Sequence, residues 1–229
     1  MFARIAGSYD FLNHFLSAGI DRRWRRRVVR RAGSLARGTV VDACCGTGDL
    51  GLEFARGGAR ICGVDFTPEM LRQALPKRGD QASRTIFAHG DALALPVADG
   101  VADISCVAFG IRNVADRIRG LEELARVVRP GGRVLILEFS QPPGAIFGAI
   151  YRFYFTRLLP LVGNIFSRDD DAYSYLARTV MAWPSPQELR AEMEASGMVD
   201  CGFELFSRGI ACLHWGSIPA PEDPREGAR

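Results

Sequence analysis

The sequence has no CxxC pair, although it contains six cysteines, Cys44, Cys45, Cys62, Cys106, Cys201 and Cys212. Lacking that spacing, and with several of them set inside apolar runs, these cysteines argue against a zinc site or a disulfide framework and read as reduced core residues. The opening stretch MFARIAGSYD has no apolar core of the kind a secretory signal needs. No run reaches the ~20 apolar residues of a membrane-spanning helix. The expectation is a cytoplasmic protein, at most peripheral at the inner face of a membrane. There is also no internal repeat and no low-complexity tract. What is present is 229 residues, 48% hydrophobic and 24% charged. That suits one domain with a full core. It is placed at residues 1–217, with a basic helical segment over 1–37, a helical insertion at about 144–180 and a polar tail over 218–229.

The net charge is only +3, but it is unevenly spread. Residues 1–37 hold nine arginines against Asp10 and Asp21, so the rest of the chain is acidic by four charges. Seven of those arginines, Arg22, Arg23, Arg25, Arg26, Arg27, Arg30 and Arg31, surround Trp24, Val28 and Val29 in one helical stretch. A basic helix of this kind either docks on an anionic surface or is a solvated face whose apolar residues cap the domain. It lacks the interleaved stacking aromatics of a single-strand binder, so nucleic acid is not an expected partner.

Apolar runs alternate with helical patterns, the sign of βαβ units and a mainly parallel sheet. Strands are expected at Thr39–Ala43, Ala59–Val64, Thr85–Ala88, Val101–Ala108, Arg133–Phe139, Phe203–Phe206 and Ile210–Trp215. Helices are expected at Asp49–Arg56, Pro68–Leu75 and Ile118–Val128. PGGR, from Pro130 to Arg133, supplies the turn into the fifth strand. Ser185, Pro186 and Glu188 form a capping box for a further helix that ends near Gly197.

The chemistry begins at VVDACCGTGD, where the first strand hands over to a helix through Gly46 and Gly48. These glycines permit a tight turn and close approach to a ligand. Nineteen residues after Gly46, the second strand ends in Asp65, where a doubly wound fold places the carboxylate that holds a ribose diol. A dinucleotide fold seats a pyrophosphate on the helix N-terminus after such a turn. Asp49, just after Gly48, would repel a pyrophosphate and attract a cationic methionine group, which favours S-adenosylmethionine over NAD. Other strand ends add Asp91 and Ala92 in GDAL, Arg112 and Asn113 in AFGIRNV, and Glu138 in EFSQP.

Several of these blocks resemble the C-methyltransferases of ubiquinone and menaquinone biosynthesis, within the class I S-adenosylmethionine-dependent enzymes. The likeness rests on Tyr9, Asp10, Leu12, Asn13, Leu16, Ser17 and Trp24, on AFGIRNV, on RVVRPGGRVLILEFS from Arg126 to Ser140, and on DAYSYLARTV from Asp171 to Val180. It spans roughly residues 1–217. Leu12 stands where the family usually has Met, Asp21 where it has His, and Ala108 where relatives often have Ser. The resemblance implies a seven-stranded, mostly parallel sheet with one antiparallel strand and helices on both faces. It also implies cofactor contacts at Thr47, Asp65, Asp91, Ala92 and Ala108, the last through its backbone.

The implied substrate is a polyprenyl quinol, either naphthoquinol or benzoquinol. A quinol ring carbon becomes a good nucleophile when a hydroxyl loses its proton, so a site for it must stabilise a phenolate. Arg112 is the candidate for that charge and Asn113 for orienting the hydroxyl or a water. The proton acceptor is left among water, His89 and a carboxylate. His14 and His214 read as structural. Methyl transfer by in-line displacement calls for no metal. A small-molecule methyltransferase with another acceptor is the alternative. Phe147, Tyr151, Tyr154 and Leu158 share one helix face that would cover the site or take the prenyl chain, or simply pack on the core. An anionic membrane surface and a second copy of the chain, as a homodimer, complete the expected partners.

Overall fold

The computed structural model describes residues 19–144 and 170–220, together with Gly148, Tyr151 and Phe153. Elements run α1 (Asp21–Ala32), β1 (Thr39–Ala43), α2 (Asp49–Arg56), β2 (Arg60–Asp65), α3 (Pro68–Lys77), β3 (Thr85–His89), β4 (Ala102–Ala108), α4 (Arg117–Arg126), β5 (Val128–Phe139), α5 (Asp170–Met181), α6 (Pro186–Ala195), β6 (Val199–Phe206) and β7 (Ala211–Ser217). The seven strands form one sheet in the order β3-β2-β1-β4-β5-β7-β6. β1 to β5 pair in parallel, and β7 runs antiparallel to both β5 and β6. This is the expected arrangement with one reversed strand.

Both faces of the sheet are covered, which is why the central strands read as unbroken apolar runs. Successive residues nevertheless divide between two cores. Leu135, Leu137 and Phe139 of β5 join Trp24 and Val28 of α1, Phe54 of α2 and Val180 of α5 on one face. Val134 and Ile136 join Leu121 and Leu124 of α4 and Leu189 and Met193 of α6 on the other. The basic helix α1 is therefore a packed part of the domain. Its indole Nε1 on Trp24 donates to Ser207 Oγ at 3.1 Å.

Departures from expectation sit where the ladder is irregular. β5 begins at Val128 instead of Arg133, because Val128 already pairs with Ala102 and the PGGR turn is a bulge inside the strand. β6 begins at Val199, ahead of the expected Phe203, across a register shift that contains Asp200 at φ 51. Neither segment shows the plain alternation that marks a strand in sequence. Of the proposed aromatic stripe, Tyr151 is buried; Phe147, Tyr154 and Leu158 lie outside the described residues, as do His14 and the block from Tyr9 to Ser17. His214 is structural as expected: its Nε2 lies 3.0 Å from the Pro186 carbonyl oxygen, and burial lowers its pKa to about 4.

The capping box is formed as its spacing predicts. The Glu188 N–H donates to Ser185 Oγ at 3.3 Å, and the Ser185 N–H donates to Glu188 Oε2 at 2.8 Å. Replacing Ser185 by Ala should cost about 1 kcal/mol of stability. A urea titration should show a lower midpoint with an unchanged slope; an unmoved midpoint would mean that α6 is started by packing alone.

Candidate active site

Chain order reverses direction across the sheet between β1 and β4, and the carboxyl ends of the strands flanking that point border a crevice where ligands of open α/β sheets bind. The cavity there has a volume of about 320 Å³. It is lined by the glycine turn after β1, by Asp65 and Phe66 after β2, by Asp91 and Ala92 after β3, and by Ala108, Phe109 and Asn113 after β4.

The turn needs its glycines for two different reasons. Gly48 has φ 84, and a Cβ there would fall 2.6 Å from the Phe87 ring. Gly46 has φ 56 with nothing within 4 Å of an added Cβ, so its backbone is open on that side. Cys44 and Phe109 hold φ 49 and 59, strained values for side chains other than glycine. The two turns interlock, since a Cβ on Gly110 would lie 2.4 Å from that of Cys44. Strain concentrated at two strand ends is characteristic of functional sites.

Asp65 ties the crevice together. Its Oδ2 accepts from the Gly46 N–H at 2.7 Å and its Oδ1 from the Thr67 N–H at 2.8 Å. The Thr67 hydroxyl donates to it as well, which leaves a lone pair for a ribose hydroxyl. Burial raises its pKa, opposed by these two N–H groups. Asp91 closes its own turn by accepting from the Leu93 N–H at 2.9 Å, leaving the loop with Ala92 along the wall. Thr47 Oγ1 and Asp49 Oδ1 both accept from Lys77 Nζ, at 2.5 and 2.9 Å.

Two expectations are corrected here. Asp49 is not a lone carboxylate awaiting a cation, because Lys77 binds it and Arg25 Nη1 stands 4.0 Å away. Arg112 is not a free charge facing the cavity. Its guanidinium is 2% exposed and donates to Glu138 Oε1 at 2.6 Å and to the Phe109 carbonyl at 2.7 Å. Glu138 is fully buried, and burial raises its pKa against the pull of Arg112. Asn113, beside it, does line the cavity, and its Oδ1 is buried with no hydrogen-bond partner. His89 Nε2 lies 3.0 Å from the Phe66 carbonyl oxygen, and its side chain is not part of the cavity lining.

Sequence reasoning missed Phe66, Asp42 and Arg25. Phe66 is 68% exposed at the cavity although apolar; its signal was its place directly after Asp65. Arg25 was hidden among surface arginines, but its spacing of four from Asp21 marks a helical ion pair. Asp42 was not singled out within the first strand. It accepts from the Gly51 N–H at 2.9 Å and from the Cys106 thiol at 3.7 Å, and burial pushes its pKa up to about 7.

A seven-stranded doubly wound sheet with a glycine turn and an in-phase carboxylate at its switch point defines a class I enzyme built around a nucleoside cofactor. More particularly, the chain belongs to the ubiE/COQ5 methyltransferase family, whose model matches residues 1–218. It is 45% identical to the demethylmenaquinone methyltransferase of Thermus thermophilus, over 96% of this chain and 100% of that protein. It is 43% identical to the ubiquinone/menaquinone biosynthesis C-methyltransferase UbiE of Geobacter sulfurreducens, over 94% and 86%. Among solved structures it resembles a SAM-dependent methyltransferase from Thermotoga maritima, with TM-score 0.66 and 19% identity over 94% of this chain and 97% of that one. It also resembles phosphoethanolamine N-methyltransferase 2 of Haemonchus contortus in complex with S-adenosyl-L-methionine, with TM-score 0.65 and 15% identity over 86% and 52%. These two structures share the fold.

Asp42 makes a pH-dependent contribution to stability. Between the ordinary 3.8 and about 7 the folded chain holds a proton that the unfolded chain has released, so stability falls as pH rises through that window. Asp42→Asn cannot ionise, and its stability relative to the unsubstituted protein should increase from the bottom of the window to the top. Denaturant titrations at both ends measure this; a constant difference would mean that Asp42 titrates normally.

Proposed function

We propose that this protein transfers a methyl group from S-adenosylmethionine to a ring carbon of a polyprenyl quinol in respiratory quinone biosynthesis. The names of the relatives at 45% and 43% identity support the quinol, and the family supports the cofactor. The observation that carries the site assignment is the cavity itself. It joins a ribose-type carboxylate, Asp65, to a buried amide oxygen without a partner, that of Asn113.

The cavity residues suit such a cofactor, because the turn at Gly46 is open, Phe66 offers a ring face to a purine and Asp65 keeps a lone pair for a ribose hydroxyl. Gly46, Thr47, Gly48, Asp65, Asp91, Ala92 and Ala108 hold it in this reading. When bound, it supplies an electrophilic methyl on a sulfonium. The protein's part is chiefly to orient the acceptor and exclude water, which in oriented systems contributes about 7–11 kcal/mol. Asn113 directs the quinol hydroxyl through its free Oδ1 lone pairs. Arg112 acts as a positioning residue, holding the Phe109 carbonyl and Glu138 so that the loop presents Asn113.

Methylation of short-chain demethylated naphthoquinols and benzoquinols, followed by mass spectrometry against a panel of simple phenols, tests the function. Preference for a phenol would favour the alternative acceptor. Arg112→Lys keeps the charge but loses the forked geometry, and should lower kcat by up to about 100-fold with cofactor affinity retained. That loss should be constant with pH. A loss that shrinks at high pH would return Arg112 to a direct role in stabilising the phenolate.

The finer partners are an anionic membrane surface, at which the enzyme meets a bilayer-resident quinol, and a second copy of the chain. No helix among the described residues is long and apolar enough to cross a membrane. Arg25 is buried, Arg27 pairs with Glu204, and Arg31 lies 4.1 Å over the Trp215 ring. Arg22, Arg23 and Arg30 remain exposed without a carboxylate partner among the described residues, each worth about 1 kcal/mol near an anionic surface. Sedimentation with phosphatidylglycerol vesicles should fall with rising salt and with Arg22→Gln, Arg23→Gln and Arg30→Gln combined. Equal sedimentation with neutral vesicles would remove the electrostatic reading.

A further inference from the structure

Four carboxylates line the cavity, Asp42, Asp49, Asp65 and Asp91, and among the described lining residues Arg25 is the one cation. The bound cofactor carries a sulfonium, an ammonium and one carboxylate. Its positive groups find partners on several walls, but its carboxylate is matched at a single place.

Arg25 is built into that place. It stands one helical turn after Asp21, to whose carboxylate its Nη1 donates, and the two residues are 8% and 1% exposed. Its guanidinium lies 5.6 Å from the centroid of the Phe109 ring, and its Nε is buried with no hydrogen-bond partner. A buried donor left unmade is costly until an acceptor arrives. Beyond Arg25 a second pocket of about 470 Å³ shares Arg25 and Asp49 with the cavity and adds Arg22, Arg26, Arg56 and Lys77 against the single further carboxylate of Glu53. The potential therefore turns positive toward α1, while Asp65 and Asp91 keep the ends of β2 and β3 acidic.

We infer that Arg25, positioned by Asp21, receives the α-carboxylate of the methionyl group, so that the cavity selects the carboxylated cofactor over the same nucleoside without that group. The inference rests on the proposed placement of the nucleoside at Asp65. It also gives a physical reason for Asp21, which departs from the histidine usual in the family: a buried guanidinium requires an anionic partner.

Calorimetry with S-adenosylhomocysteine, its decarboxylated counterpart and 5′-methylthioadenosine tests it without turnover. Arg25→Gln removes the guanidinium that Asp21 binds. The double variant Asp21→Asn/Arg25→Gln removes both charges together and keeps the test open if the single variant fails to fold. In either variant, S-adenosylhomocysteine should bind roughly 10–100-fold more weakly, while the two ligands without the carboxylate stay within about twofold. Asp65→Ala should weaken all three. Equal losses for ligands with and without the carboxylate, or no loss at all, would overturn the role of Arg25 while Asp65→Ala still behaves as stated. If Asp65→Ala weakens none of them, the placement of the nucleoside fails and the inference with it.

Discussion

The carboxylate of Asp65 is the interaction on which the site depends. It accepts one N–H from the turn after β1 and one from the turn after β2, so two neighbouring strand ends are fixed relative to one another by a single side chain. Backbone N–H groups at such a turn would otherwise point into a crevice with no acceptor. The same residue is thus a structural clamp and the expected ribose ligand, and the two uses are compatible because each carboxylate oxygen has two lone pairs. Strain at Cys44 and Phe109 is held in place by this clamp and by the interlocking of their turns.

A second theme is the burial of charge in pairs. Asp21 with Arg25 and Glu138 with Arg112 each place a guanidinium and a carboxylate out of water. Such pairs seldom add net stability, because desolvation offsets the Coulomb gain. Their value lies in geometry, since a charge held by its partner cannot swing. One pair fixes the loop that carries Asn113, and the other aims a guanidinium along the cavity wall. Asp42 is the contrasting case, a buried carboxylate whose acceptors are satisfied by an N–H and a thiol with no cation in contact, and its pKa rises accordingly.

Much of the architecture was legible in the residues alone. β1 and α2 fall on their expected bounds because a β-branched run and a glycine turn are local signals that tertiary context does not override. The capping box at Ser185 and the phase of Gly46 with Asp65 are local in the same sense. Strand ends at Val128 and Val199 were not legible, because a bulge breaks the period of two on which strand recognition depends. Arg112 was legible as a charge at a strand end beside the cleft, but its engagement by Glu138 was not, since that partner is 26 residues away on another strand.

The amino-acid sequence by itself determined the elements, their alternation, the cofactor turn and the family to which the chain belongs. These follow from periodicity, glycine placement and motif spacing within short stretches of chain. Which charges are free, which are paired and which face the cavity was decided only by the tertiary structure. An ion pair or a shared wall depends on side chains brought together from distant segments, as Lys77 is with Thr47 and Asp49 and Arg25 is with Phe109. A carboxylate reads the same in sequence whether it meets water, a guanidinium or a backbone N–H, and only the fold assigns it one of these partners.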